Sequence, residues 1–541
     1  MTPSRWTFDR PPYVTALVAV LLMAPSLLLG TLVSHSSPQD LTWASQFSEQ
    51  FRAGILYPRW MPGSFDGLGS PAFYFYPPLP FWIDALVSVF TFNVLSVTYR
   101  LALTSTLILW GSGLAMHAWL AHVTPSRRTA LVGAVVYMAA PYHLVDHYIR
   151  GAFAELTAYA VLPLVVLAFG LVADRRRGST VLLAVAYAAL LMSHLPTAML
   201  ATVTVLPLYV LYRERRPDAL VRSAIGVALG IGLAAIYLAP ALLLQGSISA
   251  HQFWTGIYYV ENWFLVTPER WPDPDIMAII TLLAITYALA AACVCIFFRR
   301  MAEPFFWAGT CLFCLVLISG VVPWFWRLPE LPKAQFPWRL MMVVEFTAIT
   351  SLCLVPLKGL QRAAVYLLAG AFVSLAAAET LIVGHTAARI DYTRTHRPLL
   401  QQDVKEYEPR GYPQAPGLGY TQLALEPVAD VPTIFCTPLA RVCRAEPGRF
   451  GAMRIEIDND TPTRVVLRRF YFPAWRADPL VPLAATERLR LVAFAVPAGH
   501  TAFTLDRVSL WAERIGWSLS GQAFLMLFVW GMTVRWSIKA A

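Results

Sequence analysis

The sequence predicts a mainly α-helical fold, a polytopic transmembrane bundle of about twelve spans with a C-terminal, exterior β-sandwich-like domain. Three observations predict it. Of 541 residues, 57% are hydrophobic and 14% charged, whereas a soluble chain carries about 25% charged residues. Apolar runs recur, each near the roughly 20 residues that carry a helix through hydrocarbon. Short Arg/Lys clusters punctuate those runs. So little polar surface cannot cover a chain in water, which excludes a soluble enzyme, a disordered protein and a disulfide scaffold. A β-barrel is excluded because its strands would alternate polar and apolar residues.

The formal net charge of +10 raises the question of a nucleic-acid partner, but the charge sits in the wrong places for one. It lies in Arg127-Arg128, Arg175-Arg176-Arg177, Arg213 to Arg222, Arg299-Arg300, Lys358 to Arg362 and Arg535 to Lys539, between apolar runs. Such clusters hold loops on the cytoplasmic side. The expected spans are 13–33, 99–121, 129–142, 156–173, 180–194, 197–212, 223–244, 276–298, 305–321, 339–356, 363–384 and 514–534. Counted from a cytoplasmic N-terminus, every cluster falls inside, and so does the C-terminus. The first run, Tyr13 to Val33, lacks a small-residue cleavage site and reads as a retained helix. The runs 129–142 and 180–194 are short for a bilayer and are expected to line a cavity, where irregular backbone is tolerated.

Residues 1–384 thus form the bundle, 385–513 an exterior β-rich domain, and 514–541 a last span with its cytoplasmic tail. Two exterior loops, 34–92 and 245–275, are too long for simple turns. The first contains Phe73-Tyr74-Phe75-Tyr76-Pro77-Pro78-Leu79-Pro80-Phe81-Trp82, whose rings suit headgroup depth, so helices lying in the interface are expected. In the β-rich domain, Met453 to Ile457, Arg464 to Phe472 and Arg488 to Phe494 alternate with the period of half-buried strands. Pro497 to His500 reads as a turn into a further strand, Thr501 to Leu505.

Five of the seven cysteines lie in spans. Cys311 and Cys314 have C-x-x-C spacing but no second pair or histidine nearby, so they read as small core residues rather than metal ligands. Cys436 and Cys443 flank a short exterior loop, where a disulfide and free thiols are both open, since separation says nothing of geometry.

Polar residues at membrane depth are costly and mark functional sites. Here they gather on the exterior side. Asp40, after the first span, is a candidate general base or an N-cap for Leu41 to Arg52. Asp66 suits a turn. Between two short spans, Pro141 to Glu155 holds His143, Asp146, His147, Arg150 and Glu155. Asp146 and Arg150 stand four apart and share a helix face, either as a structural ion pair or as a wall facing a charged substrate. His194, at another exterior break, could join that wall. The stretch Arg327 to Arg339 adds Arg327, Lys333, Gln335 and Arg339 with two tryptophans, against the inside-positive bias. It suits either a lipid headgroup anchor or a phosphate held by Arg forks and a Lys point charge. Glu345, deeper in its span, is expected to pair with a cation.

An ordered set of motifs carries a resemblance. After the exterior Asp40 come Tyr57-Pro58-Arg59-Trp60, Gly67-Leu68-Gly69-Ser70-Pro71 and Phe75-Tyr76-Pro77-Pro78-Leu79-Pro80. Then follow Pro141-Tyr142-His143, Arg150-Gly151, Glu155 and Gln335-Phe336-Pro337-Trp338-Arg339, over about residues 13–345. Arg469 to Arg476 and Val496 to His500 extend the set into the β-rich domain. These resemble the bacterial membrane family labelled "6-pyruvoyl-tetrahydropterin synthase-related". The label misleads, since a pterin synthase is a small soluble zinc enzyme and no zinc-binding histidine pattern is visible here. The family resembles the GT-C superfamily of integral-membrane glycosyltransferases.

The resemblance implies a bacterial inner-membrane enzyme that moves a sugar from a polyprenyl-phosphate donor to a glycan, lipid or protein acceptor on the periplasmic side. Its partners would be the lipid-linked donor, membrane lipids and that acceptor, with no nucleic acid. It places a catalytic aspartate at Asp40 and substrate contacts at Arg59, His143, Asp146, Arg150, Glu155, His194, Arg327, Lys333, Gln335 and Arg339. Many members carry two acidic residues after the first span, whereas this chain has Gln39-Asp40. No cofactor therefore follows, and a divalent cation, Mg or Mn, stays open. The alternative is a transporter or flippase of lipid-linked saccharides, although no internal repeat of the kind many transporters show is visible. A glycan-binding scaffold anchored by the bundle is a third reading.

Overall fold

The computed structural model describes residues 10–32, 34–213, 216–356, 403–412 and 433–539. Eleven of the twelve expected spans fall on helices, and the twelfth, 363–384, lies outside the described residues. Among the described residues seven helices are long and apolar enough to cross a membrane, including Val97–Val123, Phe153–Ala173 and Pro274–Phe297. The run 13–33 is two helices, Pro11–Leu22 and Ala24–Leu29, interrupted at Met23 just before Pro25.

Several of the basic loops meet one another through ion pairs. Asp174 accepts from Arg213 at 2.9 Å, Asp218 pairs with Arg175 at 2.9 Å, and His122 stands 3.5 Å from Asp174. Between the ends the bundle is packed by aromatic rings rather than charges. Trp119, Trp307, Tyr209 and Phe346 meet with ring centroids 5.2 to 5.7 Å apart, in the offset and edge-on geometries their quadrupoles favour. Cys311 and Cys314 are free and fully buried in this interior.

The two short helices do not line the main cavity. Arg127–Met138 and Ser179–Ser193 bury Ala130, Ala134, Tyr137, Leu183 and Leu190 completely against neighbouring helices. Only the break after the second, at His194, reaches the cavity. Their shortness serves the irregular links that follow them.

The C-terminal domain is two four-stranded antiparallel sheets. Its strands are β1 (Ile434–Thr437), β2 (Val442–Pro447), β3 (Met453–Asn459), β4 (Thr463–Phe470), β5 (Trp475–Asp478), β6 (Ala484–Ala485), β7 (Leu491–Val496) and β8 (Gly499–Arg507). One sheet has the order β1-β4-β7-β6 and the other β2-β3-β8-β5. The alternation read from the sequence explains the burial, since Met453, Ile455 and Ile457 point inward while Arg454 and Glu456 point out. The inner faces meet where Phe494 of β7 packs edge-on against Phe503 of β8, 5.0 Å between centroids. A Cys436–Cys443 disulfide ties the edge strands β1 and β2 of the two sheets.

The aromatic stretch 73–82 departs from expectation. Phe73, Tyr74 and Phe81 are buried in protein. With Trp60 and Phe65 they form the seat on which the sheet domain docks: Trp60 meets Trp475 at 4.9 Å, Phe65 meets Phe470 at 5.5 Å and Tyr74 meets Phe472 at 4.7 Å between centroids. Rings with a large apolar area gain more from packing on one another than from headgroup depth. Beneath them Arg59, 2% exposed, pairs with Glu513 at 3.0 Å and donates to the Ile236 carbonyl at 2.8 Å. Glu513→Ala is expected to leave that guanidinium buried and unpaired, at a cost of about 3–5 kcal/mol, whereas the pair Arg59→Met with Glu513→Leu should recover most of it. Thermal midpoints of the detergent-solubilised chain check this, and equal losses in both variants would refute it.

Candidate active site

At the end of the bundle away from the Asp174 and Asp218 ion pairs lies a cavity of about 610 Å³. Its lining comes from segments far apart in sequence, so each functional side chain depends on a different local device.

Asp40 sits in the first turn of the helix Ser37–Arg52, with Pro38 ahead of it. The N-cap position falls on Ser36, so Asp40 does not cap the helix as the sequence suggested. Its own N–H donates to the Ser36 carbonyl at 3.1 Å, and its carboxyl is free to face the cavity. It is 2% exposed, and burial pushes its pKa well above the usual carboxylate range, partly offset by the Phe153 N–H.

The approach to this helix is fixed by a π-type turn over Asp146–Arg150 that ends at Gly151 with φ +60°. His35 and Ser36 donate their N–H groups to the carbonyls of Ile149 and Arg150, at 3.2 and 2.9 Å. A β-carbon on Gly151 would stand 2.2 Å from the Ser34 hydroxyl and 2.9 Å from the Ser37 nitrogen. Glycine is required there by both the close approach and the left-handed backbone.

The same turn presents Arg150, which bonds Asp146 at 2.5 Å and Glu155 at 2.7 Å. Glu155 also accepts from the Tyr142 hydroxyl at 2.7 Å and pairs with Arg339 at 3.3 Å. Arg339 donates further to the Ala334 carbonyl at 2.7 Å and to the Gln335 side chain at 3.0 Å. Two cations and two carboxylates thus compensate one another, as burial demands. Gln335 is held at φ +65°, ψ −59°, with the Phe336 N–H on the Ala334 carbonyl at 2.7 Å. That is a strained γ-turn for a residue with a side chain, and it keeps Gln335 in the cavity wall.

Of the residues singled out from the sequence, Asp40, Arg150, His194, Lys333, Gln335 and Arg339 line this one cavity. His194 is anchored through Nδ1 to the Thr197 hydroxyl at 2.8 Å. Lys333 lies over the Trp254 ring and within 2.5 Å of Glu330. Glu155 stands behind the two arginines, and Asp146 lines with Asp40 a separate small cavity of about 20 Å³. His143, Arg327 and Arg59 are placed elsewhere. His143 is fully buried, stacked on Tyr159 at 3.7 Å. Arg327 is an exposed partner of Glu261 at 2.8 Å, and Arg59 belongs to the seat of the sheet domain. Among the described residues Glu345 pairs with no cation: it accepts from the Tyr287 hydroxyl and the Tyr142 N–H, both at 2.9 Å, and from the Tyr159 hydroxyl.

Sequence reasoning missed three contributors. Trp338 lines the cavity with its indole N–H unpartnered among the described residues. Its motif was visible but its exposure to the cavity was not. Glu406 and Tyr407 reach the cavity from 403–412, a segment assigned by sequence to the β-rich domain. No local pattern signals this, because the segment is fastened by the Trp43 indole N–H on Asp403 at 3.1 Å, across 360 residues. Among the described residues no three His, Cys, Asp or Glu side chains gather as a metal site, and the chemistry proposed for the cavity uses none.

A bundle of apolar helices, seven of them among the described residues long enough to cross a membrane, defines the class: a polytopic membrane protein. The family model described as "6-pyruvoyl-tetrahydropterin synthase related domain; membrane protein" matches residues 73–387, so the chain belongs to that family of membrane proteins. No curated protein matches the sequence. Among solved structures, the chain is similar to the arabinofuranosyltransferase AftD from mycobacteria, with TM-score 0.42 and 17% identity over 70% of this chain. It is also similar to the apo oligosaccharyltransferase of Archaeoglobus fulgidus, with TM-score 0.37 and 13% identity over 75% of this chain. It spans 28% of the length of the first and 61% of the second.

Gly151→Ala is expected to cost roughly 2 kcal/mol or more through its positive φ and the clash with Ser34. The loss should appear as a lower thermal midpoint in detergent, and an unchanged midpoint would show that the 34–37 segment is not clamped to this turn.

Proposed function

We propose that this chain is a membrane glycosyltransferase that moves a sugar from a polyprenyl-phosphate donor to an acceptor hydroxyl on the exterior side. One observation carries the reading. Among the described residues one cavity joins Asp40, a carboxyl with no cation partner, to a wall that carries Arg150, Lys333 and Arg339. The unpartnered Trp338 N–H beside that wall asks for an acceptor, which a phosphate oxygen supplies. Without such a partner a buried indole N–H costs about 1–3 kcal/mol.

In this reading Asp40 takes the proton of the acceptor hydroxyl as its oxygen attacks the anomeric carbon. The carbon–oxygen bond to phosphate breaks on the opposite face, and the phosphate leaves with the bonding electrons. Lys333 and Arg339 stabilise the charge that develops there. Arg150, paired with Asp146 and Glu155, positions the wall more than it neutralises substrate. The inside-positive bias of the basic loops supports an exterior position for this end of the bundle, and a prenyl tail would reach the cavity from the membrane.

Asp40→Asn should abolish transfer of radiolabelled sugar from polyprenyl phosphate in membranes while leaving the thermal midpoint close to wild type. Activity retained in that variant defeats the assignment. Lys333→Ala and Arg339→Ala should lower kcat as well as kcat/KM for the donor, and unchanged donor kinetics would remove their role.

The pH dependence follows from the buried base. Asp40 acts deprotonated, so kcat should be lost as pH falls through its pKa. Burial raises that pKa, which moves the acid limb of the profile above the pH 4 of an exposed aspartate. A limb at the ordinary position contradicts this role for Asp40.

A further inference from the structure

The cavity contains a second buried carboxyl that the transfer chemistry above does not use. Glu406 lies on the short turn Lys405–Tyr407 and is 4% exposed. The turn is fastened from both sides. The Ser249 N–H donates to the Glu408 carbonyl at 2.9 Å, the Arg410 N–H to the Ser247 carbonyl at 3.1 Å, and Asp403 accepts from Trp43 at 3.1 Å. Glu406 therefore cannot swing away from the space it faces.

Tyr258 lines the same cavity as Glu406. The Tyr258 ring packs on Phe336, 6.0 Å between centroids, and its hydroxyl feels the charge of Arg339. The pair thus stands beside the cationic wall. A carboxylate offers about four acceptor positions. Glu406 lines the cavity, and the cavity is where they can be satisfied. A phosphate cannot take them, because like charges repel. Neutral hydroxyl groups can, and a sugar ring carries several of them.

We infer that Glu406 and Tyr258 bind hydroxyl groups of the sugar carried by the lipid phosphate, and so determine which sugar the cavity accepts. The inference rests on the function proposed above and names the part of the cavity that reads the sugar.

Titration of the purified full chain in nanodiscs with decaprenyl phosphate, and with its mannosyl, glucosyl and arabinofuranosyl esters, tests it. Wild type should bind at least one ester about tenfold more tightly than the bare lipid phosphate. Glu406→Gln and Tyr258→Phe should each erase that preference and still bind decaprenyl phosphate as wild type does, which also shows that they fold. Variants that keep the preference overturn the inference, as do variants that lose affinity for bare and sugar-bearing lipid equally. Wild type that binds decaprenyl phosphate without preferring any ester overturns it too. So does loss of binding to soluble methyl glycosides with the ester preference intact, which assigns the pair to the acceptor instead. Wild type that binds none of the four lipids overturns the donor reading itself, a failure separate from the others.

Discussion

The structure depends on the compensation of charge around Glu155. Its carboxylate accepts from Arg150, Arg339 and Tyr142 at the mouth of an apolar bundle. Breaking one partner from such a group leaves a buried charge, at about 3–5 kcal/mol, so these segments cannot separate without losing a large part of the stability of a protein. The turn Asp146–Arg150 and the loop ending at Arg339 are therefore held as one wall, although they lie almost two hundred residues apart and come from different helices. The cavity is the space this wall leaves against the helix of Asp40.

That arrangement explains why irregular backbone is concentrated here. A π-type turn, the left-handed Gly151 and the γ-turn at Gln335 would each weaken a regular helix. Each is over-determined by hydrogen bonds on both sides, which is the condition under which strain persists. The strain fixes side chains: the γ-turn aims Gln335 at Arg339, and Gly151 lets the Ser34–Ser37 segment lie on the turn.

Much of the fold was legible because its signals are local. Apolar runs and basic clusters mark helices and their ends, and the alternation through Arg454, Ile455 and Glu456 marks a strand whatever it pairs with. Asp146 and Arg150 were legible as a pair for the same reason, being one helical turn apart. What was hidden depends on long-range closure. Nothing near Arg59 announces Glu513, nothing near Trp43 announces Asp403, and Glu345 finds tyrosines from three helices where a cation was expected. The aromatic stretch 73–82 misled because composition alone cannot tell rings that face lipid headgroups from rings that face a docked domain.

The same compensation decides which carboxyl can react. Arg150 already pairs with Asp146 and Glu155, and Arg339 with Glu155 and Gln335, so each arginine is compensated by a carboxylate other than Asp40. Among the described residues Asp40 accepts a backbone N–H and faces no paired cation. A carboxyl bound to an arginine is a poor base, because giving up the ion pair opposes proton uptake. By tying each arginine to another acid, the network leaves Asp40 without a counter-ion, close enough to share the cavity with positive charge and free to take a proton.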